Sequence, residues 1–169
     1  DSAASGKGTL RLHLARANGQ WKDIRDGASV LAVFQGADSY VTPSWYQTKR
    51  ETGKVVPTWN YAIVQARGPA RIIEDADWLL AQIDAITSQH EGSRAAPWAV
   101  GDAPEDFIRA QLKGIVGVEI EIAEIEGKWK VSQNRPAGDR EGVAAGLDEM
   151  PGQGHMAELV RRYGAMRNT

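Results

Sequence analysis

The sequence predicts an α+β fold that is mainly β, with an antiparallel barrel or sheet and helices packed against it. Three observations support this prediction. Leu10, Leu12 and Leu14 alternate with other residues, which is the period-two pattern of a strand with one buried face. The alternation is cleanest at 118–122, whereas the apolar residues between 79 and 86 recur at the three- and four-residue spacing of a helix.

Further strands are predicted by β-rich runs that end at turn residues, and these runs lie at 30–34, 39–42, 61–73 and 128–132. The run 30–34 is apolar throughout, as expected for a strand buried on both faces, and a hairpin turn links it to the next strand. Gly68-Pro69 interrupts the longest run, so we expect a bend or bulge there. Strands and helices do not alternate along the chain, which disfavours a doubly wound nucleotide fold.

Four helices are predicted from apolar spacing and capping residues, and they lie at about 75–90, 102–113, 139–147 and 155–163. Asp75 can cap the first helix. Asp102 and Glu105 form a capping-box pair before the second. Pro151-Gly152-Gln153-Gly154 separates the last two, which are amphipathic and close the chain.

Composition excludes several classes of function. At 169 residues with 42% apolar content, the chain can bury the core of one domain. The 20 basic and 22 acidic side chains give a formal charge of -2, so bulk charge offers no evidence for DNA binding. The sequence has no cysteine, which excludes disulfides, thiolate metal sites and a cysteine nucleophile.

Targeting signals are also missing from the sequence. It contains no uninterrupted apolar run near 18 residues and opens on a small polar stretch, so we expect a cytoplasmic protein that does not contact a membrane. Because the first residue is Asp1 rather than methionine, we also expect the chain to begin inside a longer parent.

No catalytic or metal constellation is evident. His13, His90 and His155 lie far apart and lack zinc-type spacing with each other or with carboxylates. Neither a G-x-S-x-G elbow nor a P-loop occurs. The acidic residues mostly occupy exposed strand positions or helix starts. We therefore predict no metal site and assign no catalytic residue.

The unusual feature is a set of strand ends where aromatic residues are interleaved with hydroxyls, amides and bases, at 43–49, 58–61 and 128–135. Such a mixture suits a planar, hydrogen-bonding, negatively charged ligand. Flavin mononucleotide (FMN), for example, needs an aromatic wall, amide-type partners for its pyrimidine edge and basic or hydroxyl groups for its phosphate. The alternative is that the tryptophans belong to the core and the bases form a solvated rim.

Taken in order, these segments resemble the PaiB-like family of FMN-binding negative transcriptional regulators, which have an FMN-binding split-barrel fold. The resemblance runs from about residue 9 to 150, and its matching stretches are 13–18 with Trp21, 30–36, 40–46 with Lys49, 54–61, 96–98, 115–120 and 126–135. Two departures stand out. Gly19 replaces an expected proline, and the N-terminal strand region of the family is missing.

The resemblance implies a particular domain organisation and assembly. We expect a single domain with a split-barrel core at 9–135, which contains the two inserted helices, and a helical tail at 136–169. The family fold also implies a homodimer with FMN bound near the subunit interface, so that each site draws on two chains. The cofactor-binding candidates on the matching positions are Arg16, Asn18, Ser44, Trp45, Tyr46, Lys49, Thr58, Asn60, Lys128 and Gln133.

Chemistry suggests roles for most of these candidates. Arg16, Ser44 and Lys49 offer positive charge or hydroxyl donors to the phosphate. Trp45 and Tyr46 could wall the flavin ring.

The remaining candidates are polar or charged residues that could bind the polar edge of the flavin ring. Thr58, Asn60 and Gln133 could satisfy it, and Lys128 could face the flavin N1/O2 region, where positive charge stabilises an anionic reduced flavin.

Three functions are compatible with this site. The first is an FMN-binding negative transcriptional regulator. Its contact with DNA, if any, would be indirect, because Arg161, Arg162 and Arg167 are too few for a DNA-reading surface and no helix-turn-helix is evident. The second is an FMN-dependent oxidoreductase that uses NAD(P)H. The third, less favoured, is a heme-binding split barrel, for which no axial-ligand motif is present.

Overall fold

The computed structural model describes residues 6–24 and 27–165 of the chain. These residues form an antiparallel sheet and six α-helices. The strands are β1 Thr9–Ala15, β2 Ser29–Val41, β3 Thr58–Ile73, β4 Ile115–Glu121 and β5 Glu124–Lys130. The helices are α1 Gln20–Asp23, α2 Gln47–Thr52, α3 Ala76–Glu91, α4 Glu105–Leu112, α5 Ala137–Asp148 and α6 Gly154–Ala165, with 3-10 turns at Pro43–Trp45 and Val100–Asp102. The predicted α+β class is confirmed.

The strand order is β1-β4-β3-β2, and β5 pairs with β3 off this path. Strand β4 lies between β1 and β3 and is antiparallel to both. Its Val118 stands opposite Leu12 on one side and Ile72 on the other. Because side chains alternate along a strand, this register places the alternating apolar residues of β1 and β4 on a common buried face.

The chain divides into two compact units. Among the described residues, unit 1 contains 6–24, 27–32 and 66–125, and unit 2 contains 33–65 and 126–165. Strands β2, β3 and β5 contribute residues to both units. Each unit has its own cluster of buried apolar side chains.

Unit 1 packs helix α3 near β1 and β4. Asp75 caps α3, since its carboxylate accepts a hydrogen bond of 2.8 Å from the Trp78 amide. The indole of Trp78 lies so close to Gly117 that a Cβ at this glycine would be 2.5 Å from the ring. Close packing of the helix against the strand therefore requires the glycine in the centre of β4.

Strand β3 continues without a break through Gly68 and Pro69. A Cβ at Gly68 would lie 1.7 Å from the Glu121 carbonyl oxygen, so the glycine permits a close approach of the backbone at the end of β4.

Unit 2 is built around helices α5 and α6. Its buried cluster comprises Val41, Tyr46, Val131, Val143, Ala144, Leu147, Met156, Ala157 and Val160. Two glycines of α5, Gly142 and Gly146, face Trp45. A Cβ would lie 2.0 Å from the Trp45 carbonyl oxygen at the first glycine and 2.3 Å from the indole ring at the second. The glycines therefore let the helix contact the tryptophan directly.

No helix within the described ranges is long and apolar enough to cross a membrane.

An ion network crosses the three neighbouring strands of unit 1. Glu119 in β4 accepts hydrogen bonds from Arg11 in β1 at 2.9 Å and from Arg71 in β3 at 2.7 Å. Partial burial raises the pKa of the Glu119 carboxyl, but the two guanidinium groups outweigh this effect and hold the pKa below its ordinary value. The carboxylate is 14% exposed, whereas the arginines are 43% and 62% exposed, so solvent screens much of the attraction.

We expect Glu119→Gln to lower the free energy of unfolding by about 1 kcal/mol at pH 7, as measured by urea denaturation. The folded pKa lies below the unfolded one, so this stabilisation is complete above the unfolded pKa and disappears as the pH falls through the folded pKa. Glu158→Gln, at an exposed position of α6, is the control. A difference that stayed constant down to about pH 2 would contradict this account.

Candidate functional site

Three aromatic side chains form a row on the sheet of unit 2. Trp59 and Tyr61 are two residues apart in β3, so they lie on the same face of the strand. Tyr40 of β2 packs edge-on against Trp59, with ring centroids 5.9 Å apart at an interplanar angle of 71°. Tyr40 is 46% and Trp59 55% exposed. The row is therefore an accessible aromatic surface.

A lysine borders this surface. The Lys130 ammonium, in β5, donates hydrogen bonds to the Thr58 hydroxyl and, at 2.5 Å, to the Trp59 carbonyl oxygen. It also lies 6.0 Å from the centroid of the Tyr61 ring, within cation–π range. Within 6–24 and 27–165 its hydrogen-bond acceptors are neutral oxygens, and no carboxylate pairs with it. Its positive charge is therefore available to an anionic group.

The turn after β5 holds Lys130 in place. The Gln133 amide oxygen accepts a hydrogen bond of 2.8 Å from the Val131 amide, and its nitrogen donates to the Trp129 carbonyl at 2.5 Å. Ser132 adopts a positive φ of 60°, a conformation that costs a residue with a side chain about 1 kcal/mol or more.

A buried hydrogen-bonded pair offsets this cost. The Asn60 side-chain nitrogen donates to the Ser132 hydroxyl at 3.0 Å, and the hydroxyl donates back to the Asn60 oxygen at 3.2 Å. Both residues are buried, so the pair ties the turn to β3 without access to solvent. The predicted edge candidates Asn60 and Gln133 thus have their polar atoms bonded within the protein.

The predicted ring-wall candidates lie in the core of unit 2. Trp45 is half-buried against α5, and Tyr46 is fully buried. The Tyr46 hydroxyl has no hydrogen-bond partner in the part of the chain that the structure describes. Burial raises the pKa of the Tyr46 phenol, although the guanidinium of Arg135, 4.6 Å from the ring centroid, opposes this.

Two predicted phosphate-side candidates meet at the start of α2. The Lys49 ammonium donates a hydrogen bond of 3.1 Å to the Ser44 hydroxyl, and both side chains are exposed. They form a small cationic and hydroxylic surface in unit 2.

The third phosphate-side candidate lies in unit 1. Arg16 donates to the carbonyl oxygens of Lys113 at 3.1 Å and Ile115 at 3.3 Å, and pairs with Glu74 at 3.2 Å. Asn18 accepts a hydrogen bond of 3.0 Å from the Gln20 amide at the start of α1. Both side chains therefore serve local structure in unit 1, whereas the other eight of the ten predicted residues lie in unit 2.

Sequence reasoning missed Lys130 and Asp139. Lys128 and Lys130 are two residues apart on the same face of β5, and alternation could not choose between them. The structure gives Lys128 an exposed position and Lys130 the contacts with β3. Asp139 is fully buried and accepts hydrogen bonds from the Thr48 amide at 2.8 Å and hydroxyl at 3.0 Å. From the sequence alone, Asp139 could be interpreted only as an acidic residue at the start of a helix.

The residues of unit 2 fit a flavin. The aromatic row offers an apolar surface to a planar ring, Lys130 offers an ammonium bonded to neutral oxygens, and Ser44 with Lys49 offers donors for a phosphate. The class that these features define is an antiparallel-sheet protein that binds a planar, anionic ligand.

Comparison with known proteins identifies the family. Residues 1–124 match the family model described as "Putative FMN-binding domain", and the chain belongs to this PaiB-like, FMN-binding family. The membership predicted from the sequence is confirmed, and it places the chain among flavin-binding proteins.

Two curated relatives are similar over most of their length. An uncharacterized protein of Aspergillus fumigatus is 36% identical over 95% of this chain and 75% of its own. The protease synthase and sporulation protein PAI 2 of Bacillus subtilis is 34% identical over 88% of this chain and 70% of its own. Among solved structures, the flavocytochrome Anf3 of Azotobacter vinelandii aligns with a TM-score of 0.49 and 14% identity over 75% of this chain. This chain spans about half of the flavocytochrome, 52%.

Proposed function

We propose that this chain is an FMN-binding split-barrel protein that acts in the cytoplasm, as a homodimer, as a negative regulator of transcription. The observation that carries the flavin part of the proposal is the Lys130 ammonium, which is bonded to neutral oxygens beside an exposed aromatic row. Membership of the FMN-binding family supports the choice of FMN.

The aromatic row would hold the flavin ring. Trp59 and Tyr40 are about half exposed and already packed against each other, so a planar ligand can cover them without displacing a core side chain. Tyr46 cannot offer such a surface in this structure, because it is fully buried. We therefore transfer the ring-wall role from Trp45 and Tyr46 to the row on β2 and β3.

Lys130 would supply the positive charge that the sequence analysis assigns to Lys128. An ammonium beside the pyrimidine part of a flavin favours negative charge on the ring. The contacts to Thr58 and Trp59 fix the position of this ammonium, so little side-chain entropy is lost when a ligand binds. A bound flavin supplies reversible electron and hydride transfer. The role of Lys130 is to bind it and to orient it.

The phosphate would lie at Ser44 and Lys49. Their side chains are exposed and hydrogen-bonded to each other, and a phosphate can replace this contact with two charge-assisted or hydroxyl bonds. Arg16 does not carry this role in our proposal, because its guanidinium is already bonded to Glu74 and to two carbonyl oxygens.

A second copy of the chain is the proposed partner. In unit 2, Val33 is 52% and Phe34 50% exposed on strand β2, and Val56 is 65% exposed. Exposed apolar side chains of this size are costly in water, and an interface would cover them. A symmetric dimer would use the same residues on both copies.

The regulatory part of the proposal has support from the resemblance to PaiB-like regulators and from the similarity to the sporulation protein PAI 2. The formal charge of -2 does not favour a direct contact with DNA. We therefore propose that repression acts through another partner.

We expect Lys130→Met to raise the Kd for FMN about tenfold or more, since a bond to a charged group is lost. Quenching of FMN fluorescence on titration with the protein measures the change. Lys128→Met, two residues away on the same strand, is the matched control and should alter the Kd less than about twofold. Absence of saturable FMN binding to the unmodified chain, or equal effects of the two variants, would refute the proposed site.

For the dimer, Phe34→Glu should lower the molar mass measured by light scattering from that of two chains to that of one. Each copy would bring one negative charge into the apolar interface. The control is Glu51→Gln, at an exposed position of α2. A monomeric unmodified chain at micromolar concentration would disprove the assembly.

On duplex DNA, the full chain with bound FMN should show no sequence-specific shift at about 0.15 M salt. An electrophoretic assay with specific and scrambled competitors measures this. A tight shift that resists salt and scrambled competitor would show that contact with DNA is direct.

A further inference from the structure

A groove in unit 1 is unrelated to the flavin site. Helix α3, the 3-10 turn Val100–Asp102 and helix α4 enclose a volume of about 570 Å³. Its apolar lining includes Leu80, Ala81, Val100 and Ile108. Leu80 is 39% exposed, so the groove presents apolar surface to solvent.

Carboxylates border this apolar lining. Asp77, Asp84 and Glu105 line the groove, and none of the described residues that line it is a lysine or an arginine. Glu105 is paired with Arg109 at 2.5 Å, one helical turn further along α4. Asp77 and Asp84 form neither an ion pair nor a hydrogen bond with any residue that the structure describes. Two exposed negative charges are therefore available to an occupant.

The spacing of these two charges matches a helix. Asp77 and Asp84 are seven residues apart in α3, which corresponds to two turns and about 10 Å. A helix that lies along α3 presents side chains at positions i and i+7 with the same spacing. Its apolar side chains at i+3 and i+4 would then meet Leu80 and Ala81, which lie between the two aspartates.

We propose that this groove docks a basic amphipathic helix of a partner protein. Leucine-type side chains of the partner would enter the apolar lining, and lysine or arginine side chains would pair with Asp77 and Asp84. The apolar lining of Leu80, Val100 and Ile108 is surface that a small cation would leave uncovered. The docking does not depend on flavin binding.

The test uses the full chain and a fluorescein-labelled synthetic helix of about 18 residues, with lysine at i and i+7 and leucine at i+3 and i+4. Fluorescence anisotropy measures binding at about 0.05 M and 0.5 M salt. A peptide with glutamate in place of each lysine keeps the same leucines, so it measures how much binding the apolar contacts give without the positive charges. FMN titration of every variant shows separately whether the flavin site is intact.

Variants of α3 locate the binding site. Ala81→Phe fills the groove and should abolish binding, whereas Ala145→Phe, at an exposed position of α5 that does not line the groove, should not. Asp77→Asn with Asp84→Asn should raise the Kd about fivefold and remove most of the salt dependence. Asp23→Asn with Glu158→Gln changes the net charge equally at exposed positions elsewhere and should have little effect.

Four results would overturn the proposal. They are no saturable binding of the lysine peptide, equal binding of the glutamate peptide, equal effects of Ala81→Phe and Ala145→Phe, and binding of n-octylammonium with none of the peptide. The last result would identify a small-molecule site instead.

Discussion

Alternation along strand β3 is the constraint on which unit 2 depends. Side chains of a strand point to opposite faces in turn, so Asn60 enters the interior whereas Trp59 and Tyr61 reach the surface. Asn60 then bonds to Ser132, and this bond holds the turn that carries Lys130. A shift of one residue in the strand would exchange the two faces and remove both the aromatic surface and the support of the turn.

Some polar side chains of this region stabilise the fold, and others are accessible to a ligand. Hydrogen bonds within the protein pair the side chains of Asn60, Ser132 and Gln133, and leaving such a polar group unpaired in the interior would be costly. Lys130 and the pair of Ser44 with Lys49 have neutral partners and remain accessible. A rigid interior that supports a few accessible charged groups is the usual arrangement of a preorganised binding site.

The fold class could be predicted from the sequence because it depends on local periodicity. Leu10, Leu12 and Leu14 alternate, and they do lie in a strand paired with β4. The site was harder to predict, because composition cannot tell whether an aromatic residue faces inward or outward. Trp45 and Tyr46 look like Trp59 and Tyr61 in the sequence, yet the first pair packs in the core and the second lies along the surface row. Contacts of long range, such as that between Asp139 and Thr48, leave no local pattern.

The glycines of α5 have a consequence for how related chains can diverge. Gly142 and Gly146 lie one turn apart, and each has the space of its missing side chain filled by Trp45. At position 146 the obstacle is the indole ring, so a larger residue there requires a smaller one at position 45, which without such a change would leave a void beside the helix. At position 142 the obstacle is the backbone carbonyl of residue 45, which no change of side chain removes. Positions 45 and 146 are therefore expected to covary among related sequences, whereas position 142 is expected to remain glycine.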